Sequence, residues 1–250
     1  MARIQDILPQ TELVVLSPAL ISFRWHGLEF AQARIVHDPR TFRSSQEIAF
    51  GVGPEERVLG SENETQFADI VRLAATIRRS DGPRDHALWR MCPERWLESA
   101  VAGNIAGLDS RLRPDCVYAQ VPAFAASDRA MIDILAMTQD ARLAVIELKA
   151  DEDIHLPLQG VDYWSRVVWH QSRGEFTQFG YFPGREISPQ KPLLMLVAPA
   201  LHVHPTTDTI LRYLSPEIEW EVLGIGERWR EEIKVVFRKR PVRGPVGIPA

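Results

Sequence analysis

Met131-Ile-Asp-Ile-Leu-Ala-Met137 and Leu143-Ala-Val-Ile-Glu-Leu-Lys149 are two apolar runs separated by the turn-like Thr138-Gln-Asp-Ala-Arg142. The first carries one acid, Asp133, and the second carries an acid and a lysine two residues apart. Successive side chains of a β-strand alternate between faces, so Glu147 and Lys149 project the same way, about 6.6 Å apart along the strand. Burying an unpaired carboxylate costs several kcal/mol unless a cation or metal compensates it. Three ionisable groups in runs this hydrophobic therefore suggest a site for a divalent ion.

The chain of 250 residues can bury one substantial core or two smaller ones, and its composition, 45% hydrophobic and 25% charged, is ordinary for a globular protein. No apolar run reaches the length of a membrane span, and Met1-Ala-Arg-Ile-Gln-Asp6 lacks a secretory pattern, so a cytoplasmic, membrane-free protein is expected. Cys92 and Cys116 form no CxxC pair and read as free thiols. A net charge of −4 argues against indiscriminate binding of nucleic acid but leaves room for a local basic groove. Lys149 is one of only four lysines against twenty-five arginines, which favours a compact ammonium placed at a specific point.

Residues of about 10–60 read as β-rich, with strands at 13–17, 19–25, 33–36 and 47–51, and Phe67, Ile70, Val71, Ala74 and Ile77 mark one face of a helix over 64–79. The breaker-rich Ser80-Asp-Gly-Pro-Arg84 reads as a boundary between a β-rich domain, 1–85, and an α/β domain, 86–240. The second domain opens on a helix from Pro93, followed by strands at 115–121, 131–138 and 143–149 and a helix at 157–171. A buried strand at 192–198, a short helix at 207–214 and strands at 218–224 and 232–238 complete it, ahead of a flexible tail over 241–250. Glu98 shares a helical face with Val101, Ala102 and Ile105, so it points inward although charged. Gln159-Gly-Val-Asp-Tyr163 puts Gln159 and Tyr163 on one helical face.

This order of an inward helical acid, a strand acid, Glu147-Leu-Lys149 and then Gln-x-x-x-Tyr resembles the PD-(D/E)XK nuclease superfamily, closest to the NucS and RecB-like nuclease domains, over roughly residues 90–200. The sequence departs from the superfamily pattern in having Met131-Ile132, and no proline, ahead of Asp133. The resemblance implies a restriction-endonuclease-like α/β core, a mixed central sheet flanked by helices. It also implies a Mg²⁺- or Mn²⁺-dependent endodeoxyribonuclease, a hydrolase of DNA phosphodiesters acting at single-stranded, branched or mismatched sites, with RNA left open as substrate. By the resemblance Asp133 and Glu147 are the main metal ligands, with the Leu148 carbonyl as a third, and Glu98 serves a second ion or the water shell. Lys149 is then the catalytic cation, and Gln159 and Tyr163 contact phosphate or brace the site.

The alternative is a non-catalytic nucleic-acid-binding or scaffold protein on the same fold. Residues 1–85 are expected to serve in homodimer formation or substrate grip, with Arg24, Arg34, Arg40, Arg43, Arg72, Arg78 and Arg79 as candidate phosphate contacts. Three other features read more simply as structure. His202-Val-His204 lacks a third ligand, Asp151-Glu-Asp153 suits a helix N-terminus, and Trp164 and Trp169 more often pack in a core than stack on bases.

Overall fold

In the computed structural model, described for Leu8 and residues 11–37, 43–53, 56–125 and 128–241, the chain forms two compact units divided between Trp96 and Leu97. Arg40 and residues 242–250 of the expected tail lie outside the described residues. Among the described residues there are two sheets, one of five strands in sequential order and one of six.

The first unit is an antiparallel meander, β1 (Glu12–Ser17), β2 (Leu20–Trp25), β3 (Leu28–His37), β4 (Ser44–Phe50) and β5 (Arg57–Val58), followed by helix α1 (Glu64–Ile77). Phe23, Phe30, Ala31 and Phe50 of the sheet pack with Phe67 and Val71 of the helix, and the Phe50 and Phe67 rings meet edge to face at 5.3 Å. The third strand starts at Leu28 and not at Ala33, because His26 and Gly27, with φ of 45° and 71°, close a two-residue hairpin behind Trp25. A Cβ on Gly27 would stand 2.0 Å from the Arg95 carbonyl oxygen, so only glycine fits there.

Arg78 explains why this unit continues past the expected boundary at Ser80–Arg84. It is fully buried and donates to the carbonyls of His26 at 2.9 Å, Leu88 at 2.9 Å, Met91 at 2.6 Å and Cys92 at 3.2 Å. Its guanidinium also lies 4.6 Å from the Trp96 ring centroid. Arg78 is therefore a structural clamp and not part of a phosphate-gripping surface. The short helix α2 (Ala87–Arg90) and the start of α3 (Pro93–Gly103) are held to the first unit in this way. Arg34, Arg72 and Arg79 each pair with a carboxylate: Glu47 and Glu56, Asp69, and Asp81.

The second unit contains α4 (Ile105–Leu108), β6 (Leu112–Ala125), β7 (Asp128–Thr138), β8 (Leu143–Leu148), α5 (Leu156–Ser172), α6 (Glu175–Gln178), β9 (Leu193–Pro199), α7 (Thr207–Leu211), β10 (Trp220–Ile225) and β11 (Val235–Lys239). Its sheet runs β11-β10-β9-β8-β7-β6, with β8, β9 and β10 parallel and the outer pairings antiparallel. The mixed α/β character expected from the sequence is present. Every residue of β8 and β9 is buried, as suits central parallel strands covered on both faces. Trp164 belongs to this core, its indole donating to the Pro192 carbonyl at 2.7 Å, whereas Trp169 is half exposed.

A buried ionic cluster ties the turn between α4 and β6 to β10 and β11. Asp109 accepts from Arg111 at 2.6 Å and Arg238 at 2.7 Å, while Glu221 accepts from Arg111 at 2.7 Å, Arg240 at 2.9 Å and Arg238. Burial alone would raise the Asp109 pKa, but the hydrogen bonds from Arg111 and Arg238 overcome it and hold the group at about 2.

Two outcomes follow. Arg78→Leu, which removes a buried guanidinium and strands its four carbonyl acceptors, should cost about 3–5 kcal/mol in urea unfolding, and Arg78→Lys should recover only part of it; a loss under about 1 kcal/mol would show that the clamp is not holding the unit together. Because the folded pKa of Asp109 lies below the unfolded value near 4, its stabilisation is present above pH about 4 and lost as pH falls towards 2. Asp109→Asn should therefore cost about 2 kcal/mol at neutral pH, a gap that closes through that acid window. Thermal unfolding from pH 7 to pH 2 checks this, and a gap that stays constant contradicts it.

Candidate functional site

The antiparallel register of β7 and β8, with Ile134 opposite Ile146, sets Asp133 opposite Glu147. On the other side of β7, the pairs Ala119–Ile134 and Val121–Ile132 set Gln120 of β6 opposite Asp133. One rung of the sheet thus carries Gln120, Asp133 and Glu147. Helix α5 comes close over it because Gly160 lacks a side chain: a Cβ there would lie 2.5 Å from the Leu196 Cδ2 and 3.6 Å from the Glu147 Cβ. Any larger residue at 160 would push Gln159 and Tyr163 away from the rung.

The polar contacts in this rung are sparse. Asp133 Oδ2 accepts from the Leu148 backbone N–H at 3.0 Å, and Lys149 Nζ stands 3.4 Å from Glu147 Oε1. Glu147 is 2% exposed, and its Oε2 has no hydrogen-bond partner; the Oε1 of Gln159 is equally buried and unpartnered. Burial first and the Asp133 charge second push the Glu147 pKa well above the usual carboxylate range, against a weaker opposing pull from Lys149. Burial, with the charges of Glu147 and Asp133, also raises Tyr163 to about 12.

Glu98 on α3 is buried, at 5% exposure, as its helical face implied. Its carboxylate accepts from Gln120 Nε2 at 2.7 Å. Gln120 was not singled out from the sequence, and nothing in its neighbours marks it. The structure marks it twice, by this bond and by a φ of +55°, a left-handed conformation that glutamine rarely adopts inside a strand.

Asp133, Glu147, Lys149 and Tyr163 are thus brought into one neighbourhood, Glu98 is joined to the rung through Gln120, and Gln159 adjoins Gly160, where α5 passes closest to Glu147. Among the described residues no group of three or more His, Cys, Asp or Glu side chains is placed to hold a metal ion. Side-chain ligands for a cation at this rung reduce to Asp133 and Glu147. Asp151 and Glu152 turn instead towards His202 and His204, at 3.9 and 3.8 Å, and Asp153 accepts from the His155 N–H at 2.7 Å ahead of α5.

The strain at Gln120 gives a test of its role. Gln120→Ala and Gln120→Gly both remove the bond to Glu98, but only glycine relieves the positive φ, so the glycine variant should be about 1 kcal/mol the more stable of the two in urea unfolding. Equal stabilities would mean that the left-handed backbone is not retained in the folded protein. Comparison with protein families, with curated proteins and with solved structures returns no match to this chain.

Proposed function

We propose that this protein is a Mg²⁺- or Mn²⁺-dependent nuclease that hydrolyses DNA phosphodiester bonds on a restriction-endonuclease-like core. The observation that carries the reading is buried Glu147 opposite half-buried Asp133, with Oε2 of Glu147 unpartnered and Lys149 beside it.

These residues fit a divalent ion. Ionising Glu147 in its buried place beside Asp133 is costly, and a divalent cation held by the two acids would remove that cost. Mg²⁺ is commonly held by one or two carboxylates, with water and substrate phosphate completing its shell, so a cage of three side chains is not required. Asp133 and Glu147 would hold the ion with the Leu148 carbonyl, and the ion would supply charge neutralisation at the phosphate and a more acidic bound water.

The chain's own groups would do the remaining work. Lys149 would present a point charge to the phosphate oxygens as negative charge builds on them. Gln159 and Tyr163, one turn apart over the rung, would donate to the phosphate from the helix side; a phenol raised to about 12 stays protonated and remains a donor. Gln120 would hold Glu98 at the margin of the site, where Glu98 would order water or a second ion.

Cleavage of single-stranded, branched and duplex DNA should proceed with Mg²⁺ or Mn²⁺ and stop in EDTA. Asp133→Ala and Glu147→Ala should lose Mn²⁺ binding by calorimetry together with cleavage. Lys149→Ala should keep Mn²⁺ binding and lose about 10²-fold or more in rate. Cleavage that persists in EDTA, or a fully active Lys149→Ala protein, would sink the mechanism. DNA binding without cleavage by the intact protein would favour a non-catalytic binding role on the same fold.

A further inference from the structure

Glu98 could serve the rung in either of two ways, by binding a second ion or by ordering water around the first, and the contacts of Gln120 separate them. Asp133 and Glu147 stand opposite one another across neighbouring strands, whereas Glu98 comes from α3 and is joined to the rung through Gln120. Strands of a sheet lie about 4.8 Å apart, so two opposed acids are near enough to share an ion. The link from Glu98 runs instead through the whole Gln120 side chain, and among the described residues Glu98 does not join Asp133 and Glu147 in a group of three that could hold one.

That link is buried, and it is polarised against a cation. Gln120 is 7% exposed and Glu98 5%, and Gln120 Nε2 donates to Glu98 Oε2 at 2.7 Å. An amide NH₂ is the positive end of its dipole, so at this oxygen it fills the place that a metal ion would take. The backbone holds the amide there at a φ of +55°, an angle glutamine rarely adopts. Glutamine also supplies a donor without adding charge, where a glutamate would bring a third acid to a rung that already carries Asp133 and Glu147.

We infer that Gln120 is a positioning residue that keeps Glu98 outside the coordination sphere at Asp133 and Glu147, so that the site takes one divalent ion and Glu98 acts on it through water. The inference rests on the nuclease reading for the presence of an ion, and it decides between the two roles open to Glu98.

The test is calorimetric titration of the full-length protein with Mn²⁺, beside single-turnover cleavage rates, for the wild type, Glu98→Gln, Gln120→Gly and the double variant. Glu98→Gln keeps the side-chain shape, and glycine at 120 tolerates the positive φ, so neither change should prevent folding. All four proteins should bind one Mn²⁺ per chain, with Kd raised no more than about ten-fold, the lower end of what groups behind the ligands contribute. Each single variant should lose about 10–100-fold in rate, and the double variant should be no slower than the worse single, because the two residues act as a unit. A glutamine that only supports the strand would instead multiply the losses, which would overturn the assignment. So would two Mn²⁺ per wild-type chain with one lost in Glu98→Gln, or a Glu98→Gln protein that binds no Mn²⁺. A wild type that binds no Mn²⁺ would overturn this inference and the nuclease reading together. Failure of the nuclease reading alone would look different: one Mn²⁺ would bind to the wild type and to Glu98→Gln, and no DNA would be cut.

Discussion

The opposition of Asp133 and Glu147 across β7 and β8 is the constraint around which the second unit is arranged. Two acids at the centre of an apolar sheet destabilise it, yet the surrounding sequence holds them there. Gly160 lets α5 close over them, the Leu148 N–H fixes Asp133, and Lys149 follows Glu147 on the same face of its strand. Gln120 adopts an unfavourable backbone angle in the same rung to reach Glu98. On the nuclease reading, strain and unpaired polarity gathered at this one place would be retained for the chemistry done there.

The same unit holds a pair of buried acids in a different setting. Asp109 and Glu221 are as hidden from water as Glu147, but three arginines surround them and the Asp109 pKa is held at about 2. Glu147 has one lysine at 3.4 Å, a carboxylate neighbour and an oxygen with no partner, and its pKa moves upward. The first cluster is complete as it stands and fastens a turn to two strands. The second leaves Oε2 of Glu147 without a partner, and on the nuclease reading a divalent cation would supply the missing charge.

Much of this could be seen in the residues themselves, for identifiable reasons. Asp133 and Glu147 stand out because they are acids inside apolar runs, and Glu98 stands out because its helical neighbours are apolar. Gln159 and Tyr163 follow from helical spacing. Gln120 could not be read, since a positive φ in a non-glycine residue leaves no mark in composition or periodicity. Arg78 was misread as a surface cation: its four acceptors are carbonyls, which every residue has, so no partner in the sequence announces them. His170 and Glu175 become a pair only because α5 ends and the chain turns back through Gly174, at a φ of 67°. The His26–Gly27 hairpin did leave a signal, a glycine directly after an aromatic strand end, and overlooking it shortened β3.

The arginines of the first unit bear on how substrate would be held. Arg34, Arg72 and Arg79 face carboxylates and Arg78 faces carbonyls, so a phosphate reaching the paired side chains must displace an acid already there. Each such exchange returns little net attraction, and in a chain of net charge −4 a grip based on counterion release from this surface would be weak. On the nuclease reading, affinity must then come from elsewhere. A divalent ion held by Asp133 and Glu147 would meet a phosphate directly, and that contact depends on no excess of positive charge at the surface.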